Sequence, residues 1–212
     1  MAKPQAYPGK EISVVFDGRR CVHSRNCVLG LPQVFRANVS GPWIVPDNAP
    51  AEMLAALVRT CPSGALSYQR HDSGTQEAAP MVNVIRVLEN GPLACHADLH
   101  IGDLEPVYRA TLCRCGASGN KPFCDGSHRE AGFTASGEPP TRESGPLAAR
   151  DGVLTVSPVR DGPLMVEGNI DICAGTGRAV VRAQNAALCR CGASSNKPFC
   201  DGSHVAAKFR AD

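Results

Sequence analysis

A 17-residue segment occurs twice in this chain of 212 residues, and the duplication limits what the chain can fold into. The first copy, Leu112 to His128, reads LCRCGASGNKPFCDGSH. The second copy, Leu188 to His204, reads LCRCGASSNKPFCDGSH, and it differs only by Ser195 in place of Gly119. The flanking sequence has drifted, so common ancestry alone does not explain this local identity. Three cysteines and one histidine in both copies indicate a chemical requirement.

The repeat begins well before the duplicated segment. Residues 81–93, MVNVIRVLENGPL, align without a gap on residues 152–164, GVLTVSPVRDGPL. Asn90-Gly91 and Asp161-Gly162 are typical of tight hairpin turns, because both residue types tolerate a positive φ. The second repeat has gained residues before its cysteine segment, and 174–178 is the predicted site. Each repeat is predicted to form a β-hairpin, one or two further strands, a cysteine-bearing loop and a short helix.

Composition restricts the class of protein. The 21 glycines and 17 prolines favour compact, turn-rich β modules over a helical bundle. A net charge of +2 gives no footprint for nucleic acid or an anionic membrane. The N-terminus has no apolar signal region, and no apolar run approaches the roughly 18 residues that span a bilayer. The 11 cysteines are grouped, which favours metal or cluster ligands in a reducing cytoplasm over disulfides.

The chain is predicted to be α+β, with a small ferredoxin-like N-terminal domain followed by two β-rich modules. The predicted segments are a domain over 1–69, a linker over 70–80, a repeat over 81–133, a linker over 134–144 and a second repeat over 145–212. In the first domain, 12–16 and PWIVP are predicted strands, and Leu66 begins another. Residues 50–60 are the clearest helix, with Asp47 or Asn48 as its cap.

Each duplicated segment offers three soft ligands and one imidazole. The candidate ligands are Cys113, Cys115, Cys124 and His128 in the first copy, and Cys189, Cys191, Cys200 and His204 in the second. Pro122 suits the first turn of a helix that would place Cys124 and His128 one turn apart. Gly116 and Gly126 would let the backbone approach an inorganic centre. This donor set fits tetrahedral zinc or a [2Fe–2S] cluster.

The segment CRCGASGNKPFCDGSH resembles the signature of the CDGSH iron–sulfur family, which includes mitoNEET. The resemblance implies a [2Fe–2S] cluster held by three cysteines and one histidine in each copy, and therefore two such clusters. The family's homodimers join β-strands of two chains above two clusters. It follows from the resemblance that the two repeats here pack as an intramolecular pseudo-dimer, in a monomer without the mitoNEET membrane anchor.

A histidine ligand changes the charge of such a cluster. Three thiolates and a neutral imidazole leave one net negative charge on the oxidised site, whereas four thiolates leave two. We expect a potential between about −400 mV, typical of all-cysteine plant ferredoxins, and the Rieske range of about −150 to +300 mV. We also expect acid-labile clusters, since protons compete for the imidazole. Arg114, Arg190, Lys121 and Lys197 either offset the negative charge or are solvated surface cations.

The N-terminal cysteines suggest a second kind of cluster. Cys21-x5-Cys27, followed by Cys61-Pro62, resembles the divergent 4Fe–4S mono-cluster ferredoxin family over residues 10–69. Single-cluster bacterial ferredoxins often have the pattern Cys-x2-Cys-x2-Cys followed by a distant Cys-Pro. Ser24 occupies the position of the middle cysteine of that pattern. Three thiolates suit a [3Fe–4S] cluster, or a [4Fe–4S] cluster with His23, Ser24 or water on the fourth iron. The alternative is that this domain binds nothing and its cysteines are small buried apolar groups.

The remaining cysteines and histidines carry no clear pattern. Cys95 and Cys173 are predicted to be free and buried, His96 and His100 to alternate in a strand, and His71 to be exposed.

We expect no enzyme, because the sequence offers no nucleotide loop or catalytic triad, and Ser118 and Ser194 have structural roles. The predicted function is electron or cluster transfer between partner proteins. The alternatives are a cluster-based redox, iron or pH sensor and a structural zinc-type interaction module.

Overall fold

The computed structural model describes residues 3–211 and divides after Ala78 into two compact units. The chain is rich in strands, which form two separate sheets, and its helices are short. Within residues 3–211, no helix has the length and apolar character needed to cross a membrane. A strand-rich protein with small helices agrees with the class predicted from the repeats and the turn-forming residues.

The first unit contains a three-stranded antiparallel sheet and two helices. Its strands are β1 (Gln5–Tyr7), β2 (Ile12–Phe16) and β3 (Leu66–Arg70), with β2 in the centre. The helices are α1 (Asn26–Gly30) and α2 (Ala51–Val58). Residues Leu54, Ala55 and Val58 form the buried face of α2 and belong to the same core as Ile12 and Val14 of the central strand.

Two details of the first unit differ from the sequence prediction. Asp47 and Asn48 do not cap α2, because they form a 3₁₀ turn and Pro50 takes the cap position instead. The segment PWIVP is not a strand, and its Ile44 forms only an isolated bridge with Phe35. Prolines on both sides of this segment lack the N–H that a strand ladder needs, although Ile44 is still buried.

The second unit contains one six-stranded sheet built from both repeats. The first repeat supplies β4 (Val84–Val87), β5 (Leu93–Ile101) and β6 (Val107–Leu112). The second supplies β7 (Val153–Pro158), β8 (Leu164–Ala174) and β9 (Ala179–Leu188). In each repeat the three strands pair antiparallel in order.

The predicted hairpin turns and the predicted insertion are both visible in this sheet. Asn90 and Asp161 have φ values of 48° and 53°, in the left-handed region that Asn and Asp tolerate. Residues 174–178 lie at the turn between β8 and β9, where five extra residues lengthen the hairpin, and the register of the pairing shifts between Ile172 and Cys173 beside this turn.

The two repeats exchange strand pairings reciprocally. Strand β4 pairs in parallel with β8 of the second repeat, and β7 pairs in parallel with β5 of the first. The registers are equivalent, since Ile85 faces Ile172 in one pairing and Val156 faces Ile101 in the other. Strands β4, β5, β7 and β8 therefore close a ring of pairings, which leaves no unpaired edge among them.

The core of this unit is shared between the repeats. Both sets of strands contribute fully buried aliphatic side chains, namely Ile85, Val87, Leu93, Leu99, Leu112, Leu154, Val156, Leu164, Val166, Ile170, Ile172 and Leu188. A module of this size rarely buries enough apolar surface to fold alone. The reciprocal pairing combines two such modules around one core.

The duplicated segments also contact each other directly. Cys115 and Cys191 form an antiparallel bridge, so the two Cys-x-Cys loops meet backbone to backbone. A Cβ atom on Gly116 would lie 2.5 Å from the carbonyl oxygen of Cys191, and one on Gly192 would lie 2.5 Å from that of Cys115. Gly116 thus allows approach to the other repeat's backbone, which the sequence did not indicate.

We expect Ile85→Ala to lower the free energy of unfolding by about 2–5 kcal/mol, because it opens a cavity where β4 meets β8. Val153→Ala on β7 is the control, since Val153 is 48% exposed and should change stability by less than about 0.5 kcal/mol. Urea denaturation of the full chain measures both. Equal midpoints for the two variants would contradict a core shared across the β4–β8 pairing.

We expect Gly116→Ala to destabilise the chain more than Gly126→Ala. Both glycines have a left-handed backbone, with φ of 83° and 94°, which costs an alanine roughly 1–2 kcal/mol. Only the Cβ at position 116 would also meet the Cys191 carbonyl, because nothing lies within 4 Å at position 126. Comparison of the two urea midpoints isolates the contact between loops, and identical midpoints would show that the loops do not touch.

Candidate metal centres

Each duplicated segment folds back onto the strand that precedes it. Cys113 N donates to Pro122 O at 2.8 Å and Cys124 N donates to Thr111 O at 2.9 Å. The second copy repeats both contacts at 2.8 Å, from Cys189 N to Pro198 O and from Cys200 N to Ala187 O. This return of the chain brings the third cysteine of each segment beside the end of β6 or β9.

The four predicted ligands of each copy come together as two pairs. Cys113 Sγ lies 3.7 Å from Cys115 Sγ, and Cys124 Sγ lies 3.4 Å from His128 Nδ1. The second copy has the same two distances. Two sulfur ligands of one tetrahedral metal, with bonds of about 2.3 Å, are about 3.8 Å apart. Each pair therefore has the spacing of two ligands on one metal ion.

The pairs do not merge into a mononuclear site. Within residues 3–211, no three His, Cys, Asp or Glu side chains converge on one point as a single metal ion would require. The two pairs of the first copy are nevertheless neighbours. Burial raises the pKa of Cys124 to about 11, and the nearby Cys113 thiolate adds to the rise.

The helix predicted from Pro122 is wrong. Phe123 pairs with Leu112 in an isolated bridge, so the backbone there is extended and Cys124 and His128 are not on one helix. A turn at Gly126 brings them together instead, with Asp125 Oδ1 accepting from Ser127 N at 3.0 Å. In the second copy, the short helix α3 (Ser203–Ala206) begins after Cys200, so of these two candidate ligands it includes only His204.

Backbone amides point at the sulfur atoms. Ala117 N donates to Cys115 Sγ and Gly126 N to Cys124 Sγ, both at 3.4 Å. The second copy matches, with Ala193 N on Cys191 Sγ at 3.4 Å and Gly202 N on Cys200 Sγ at 3.5 Å. N–H donors of this kind stabilise thiolates and raise the potential of a bound iron–sulfur group.

The candidate ligands of the first copy differ in the direction of their pKa shifts. The thiol of Cys115 donates to Cys113 and lowers the pKa of Cys113 to about 6. The same hydrogen bond is the main cause that raises the pKa of Cys115. Burial lowers the pKa of His128, and Arg129 lowers it further. The neutral imidazole is the form in which a histidine binds a metal, and Cys113 is the one thiol of this copy with a lowered pKa, since those of Cys115 and Cys124 are raised.

The arginine between each pair of cysteines is buried. Arg114 and Arg190 are each 1% exposed, which excludes the solvated surface role that the sequence left open. Arg114 Nε donates to Gly91 O at 2.9 Å, and its guanidinium lies 5.3 Å from the centre of the Phe133 ring. Arg190 repeats this arrangement with Gly162 O and Phe209. Each arginine ties the hairpin turn of its repeat to the cysteine loop.

The serine and lysine of each segment shape the same loop. Ser118 Oγ donates to Phe123 O at 2.6 Å and accepts from Asn120 N at 3.0 Å, and Ser194 does the same in the second copy. Lys121 Nζ donates to Ser118 O at 2.5 Å, and Lys197 Nζ donates to Ser194 O. These contacts agree with a structural role for both serines.

Asp125 and Asp201 are structural residues that the sequence did not single out. Asp125 Oδ2 accepts from Gly119 N at 2.8 Å, and Asp201 Oδ2 accepts from Ser195 N at 2.8 Å. Hydrogen bonds from Ser203 are the main cause that lowers the pKa of Asp201. The sequence signal that could have identified them is their position in both copies, between the third cysteine and the turn glycine.

The three N-terminal cysteines line one cavity. Cys21, Cys27 and Cys61 are among the residues that line a space of about 350 Å³, as are His23 and Ser24. Burial raises the pKa of Cys21 and that of Cys27. His23 Nδ1 lies 3.9 Å from Cys21 Sγ. The first unit therefore gathers side chains that are separated widely in sequence around a single space.

Short elements set the positions of these cysteines. Cys21 follows a 3₁₀ turn, Cys27 lies in the first turn of α1, and Cys61 N donates to Val58 O at 3.0 Å just after α2. Asn26 Nδ2 donates to Thr60 O at 2.9 Å, and this hydrogen bond joins the segment that carries Cys27 to the one that carries Cys61.

The other cysteines and histidines lie outside both kinds of site. Cys95 is 1% exposed and Cys173 is 7% exposed, both in strands of the large sheet, and burial raises the pKa of Cys95 to about 12. His96 is exposed and His100 is half-buried on β5. His71 is exposed, with its Nε2 2.7 Å from Ser13 Oγ.

Comparison with known proteins agrees with both halves of this description. A family model described as "Divergent 4Fe-4S mono-cluster" matches residues 7–71, and one described as "Iron-binding zinc finger CDGSH type" matches residues 90–129 and 161–205. Two curated relatives, each named "Uncharacterized protein YjdI", come from Escherichia coli strains K12 and O157:H7. Each is 40% identical over 65 residues, which cover 31% of this chain and 84% of the relative. The chain belongs to the divergent 4Fe–4S mono-cluster family through its N-terminal unit and carries two CDGSH-type iron-binding segments in its second unit.

Proposed function

We propose that this chain is an iron–sulfur protein that binds one [2Fe–2S] cluster at each duplicated segment and transfers electrons or clusters between partner proteins. The ligands are Cys113, Cys115, Cys124 and His128 in the first copy, and Cys189, Cys191, Cys200 and His204 in the second. The proposal depends on one observation, which is the arrangement of each ligand set as two neighbouring pairs with tetrahedral spacing.

Paired ligands favour a two-iron core over a zinc ion. Zinc would need all four donors at the corners of one tetrahedron, whereas a [2Fe–2S] core takes two protein ligands on each of two irons. The amides directed at Cys115 and Cys124 provide donors to one sulfur of each pair. The donor set, its spacing and its hydrogen bonds thus all fit the cluster.

A bound [2Fe–2S] group supplies one-electron redox chemistry. The protein's part is to hold the donors, limit access by water and set the charge. Cys113 and Cys124 are 1% and 2% exposed, while Cys115 and His128 are half-buried, so the side of the site that carries the latter two ligands lies nearer to the surface. A redox or cluster-accepting partner would approach on that side.

We further propose that the repeats form an intramolecular pseudo-dimer, with repeat 1 over 81–133 and repeat 2 over 145–212. Its support is the equivalence of the β4–β8 and β5–β7 registers and the bridge between Cys115 and Cys191. This arrangement holds two clusters within one chain, so a monomer is sufficient. The linkers 70–80 and 134–144 complete the proposed domain division.

The N-terminal unit is proposed to be a ferredoxin-like domain that binds a [3Fe–4S] or [4Fe–4S] cluster through Cys21, Cys27 and Cys61. Its support is the convergence of these thiols on one cavity. The chain then carries two kinds of cluster. We assign the chain no enzymatic activity. We place it in the cytoplasm, because its reduced cysteines suit that compartment.

Anaerobic purification of the full chain should give a coloured protein. We expect iron and sulfide at four of each per chain from the duplicated segments, in proportion to two [2Fe–2S] clusters, with more of both if the N-terminal unit is loaded. Elemental analysis, sulfide assay, visible absorption and EPR measure this. A colourless protein with one zinc per segment and no sulfide, even after reconstitution, would identify a zinc-type interaction module instead.

We expect His128→Cys to lower the reduction potential of one cluster and leave the other unchanged, and His204→Cys to do the converse. A fourth thiolate adds one negative charge to the site, which makes reduction less favourable. Redox titration followed by visible absorption and EPR measures both potentials. His100→Cys, outside both segments, is the control, and unchanged potentials in both segment variants would refute histidine ligation.

A sensor role makes a different prediction for the same protein. If loss of the clusters exposes a binding surface, a partner should bind the cluster-free chain and not the loaded chain. If the chain transfers electrons or clusters, a partner should bind the loaded chain. Pull-down with loaded and chelator-treated protein separates these two functions.

A further inference from the structure

We propose that the N-terminal cluster is a [4Fe–4S] cluster with one iron that no side chain ligates, and that this iron binds a small external monoanion. The inference rests on the proposed cluster at Cys21, Cys27 and Cys61. It assigns a ligand-binding site to a unit whose sequence otherwise suggests an electron carrier alone.

The ligand count leaves one corner open. Three cysteines line the cavity, and Ser24 stands midway between Cys21 and Cys27, where a fourth thiolate would complete the set. A serine hydroxyl is neutral at physiological pH and is a weaker metal donor than a thiolate. His23 contacts Cys21 Sγ at 3.9 Å, which places its ring beside a corner that already has a ligand.

The cavity has room for more than the cluster. Its volume of about 350 Å³ lies within the range of roughly 300–1,000 Å³ that is typical of small-molecule sites. Since one water takes about 30 Å³ in the liquid, the space holds roughly a dozen small groups, compared with the eight atoms of a [4Fe–4S] core. The remaining space suits a ligand of a few atoms.

The charge of the lining favours an anion. Arg25 and Arg36 line the cavity, and no Asp or Glu is among the described residues around it. An oxidised [4Fe–4S] core with three thiolates has one net negative charge. Two guanidinium groups can therefore offset one further negative ligand, which would restore the charge of a four-thiolate site.

Arg36 has unused hydrogen-bonding capacity. Its Nη2 donates to Pro42 O at 2.7 Å, but its buried Nε has no hydrogen-bond partner in the part of the chain that the structure describes. A buried N–H of a charged group without a partner destabilises the folded state. An anion in the cavity would supply the missing acceptor.

The test is an azide titration of the anaerobically loaded full chain, reduced with dithionite and followed by EPR at liquid-helium temperature. The wild type should show a saturable change in the [4Fe–4S] signal. Ser24→Cys should abolish that change, because a fourth thiolate occupies the corner. Arg36→Gln should weaken azide binding at least tenfold, and Arg59→Gln, which changes an arginine outside the cavity lining, should leave it unaltered.

The possible results separate the inference from the proposed function. If the N-terminal cluster is present but does not respond to azide, the inference fails and the cluster proposal stands. If His23→Ala creates an azide response that the wild type lacks, His23 is the fourth ligand and the inference fails. If the iron and sulfide contents equal only those expected for the two duplicated segments, the proposed N-terminal cluster and the inference both fail. If the Arg36→Gln variant does not bind an N-terminal cluster, the azide responses of the wild type and of Ser24→Cys decide whether the inference holds.

Discussion

The reciprocal pairing of strands between the two repeats is the constraint on which the second unit depends. Each repeat contributes a hairpin whose first strand also pairs with the second strand of the other repeat. Main-chain hydrogen bonds and aliphatic burial therefore act together across the same contact. Neither hairpin closes a ring of pairings or fills the core alone. Duplication within one chain makes both partners available at a fixed one-to-one ratio.

The same contact fixes the two cysteine loops. Strands β6 and β9 end at Leu112 and Leu188, directly before the first cysteine of each segment, and the returning chain pairs against those strand ends. The loops then meet at Cys115 and Cys191, where only glycine permits the approach that Gly116 and Gly192 make. The candidate donors of each site consequently lie in loops that backbone hydrogen bonds hold against the strand ends, and the buried arginines tie the hairpin turns to these loops.

The first unit gathers cysteines by a different route. Its three thiols come from a 3₁₀ turn, a short helix and the end of α2, and they surround a cavity instead of forming adjacent pairs. The two units therefore present distinct donor geometries. Paired donors fit a core of two irons, while three separated thiols around an open space fit a larger cluster with an unfilled corner. Arg25 and Arg36 add positive charge at the cavity.

The sequence by itself determined which residues are candidates for binding iron–sulfur clusters. Identical segments in diverged surroundings predicted the eight candidate donors, and the Asn90-Gly91 and Asp161-Gly162 pairs predicted the hairpins, because these signals are local. Local signals also misled, since Pro122 suggested a helix where Phe123 pairs with a strand end, and PWIVP suggested a strand that its prolines prevent. Tertiary structure alone decided the pairing of β4 with β8, the burial of Arg114 and the role of Gly116. Each of these depends on contacts between residues distant in sequence, which the pattern of one segment does not encode.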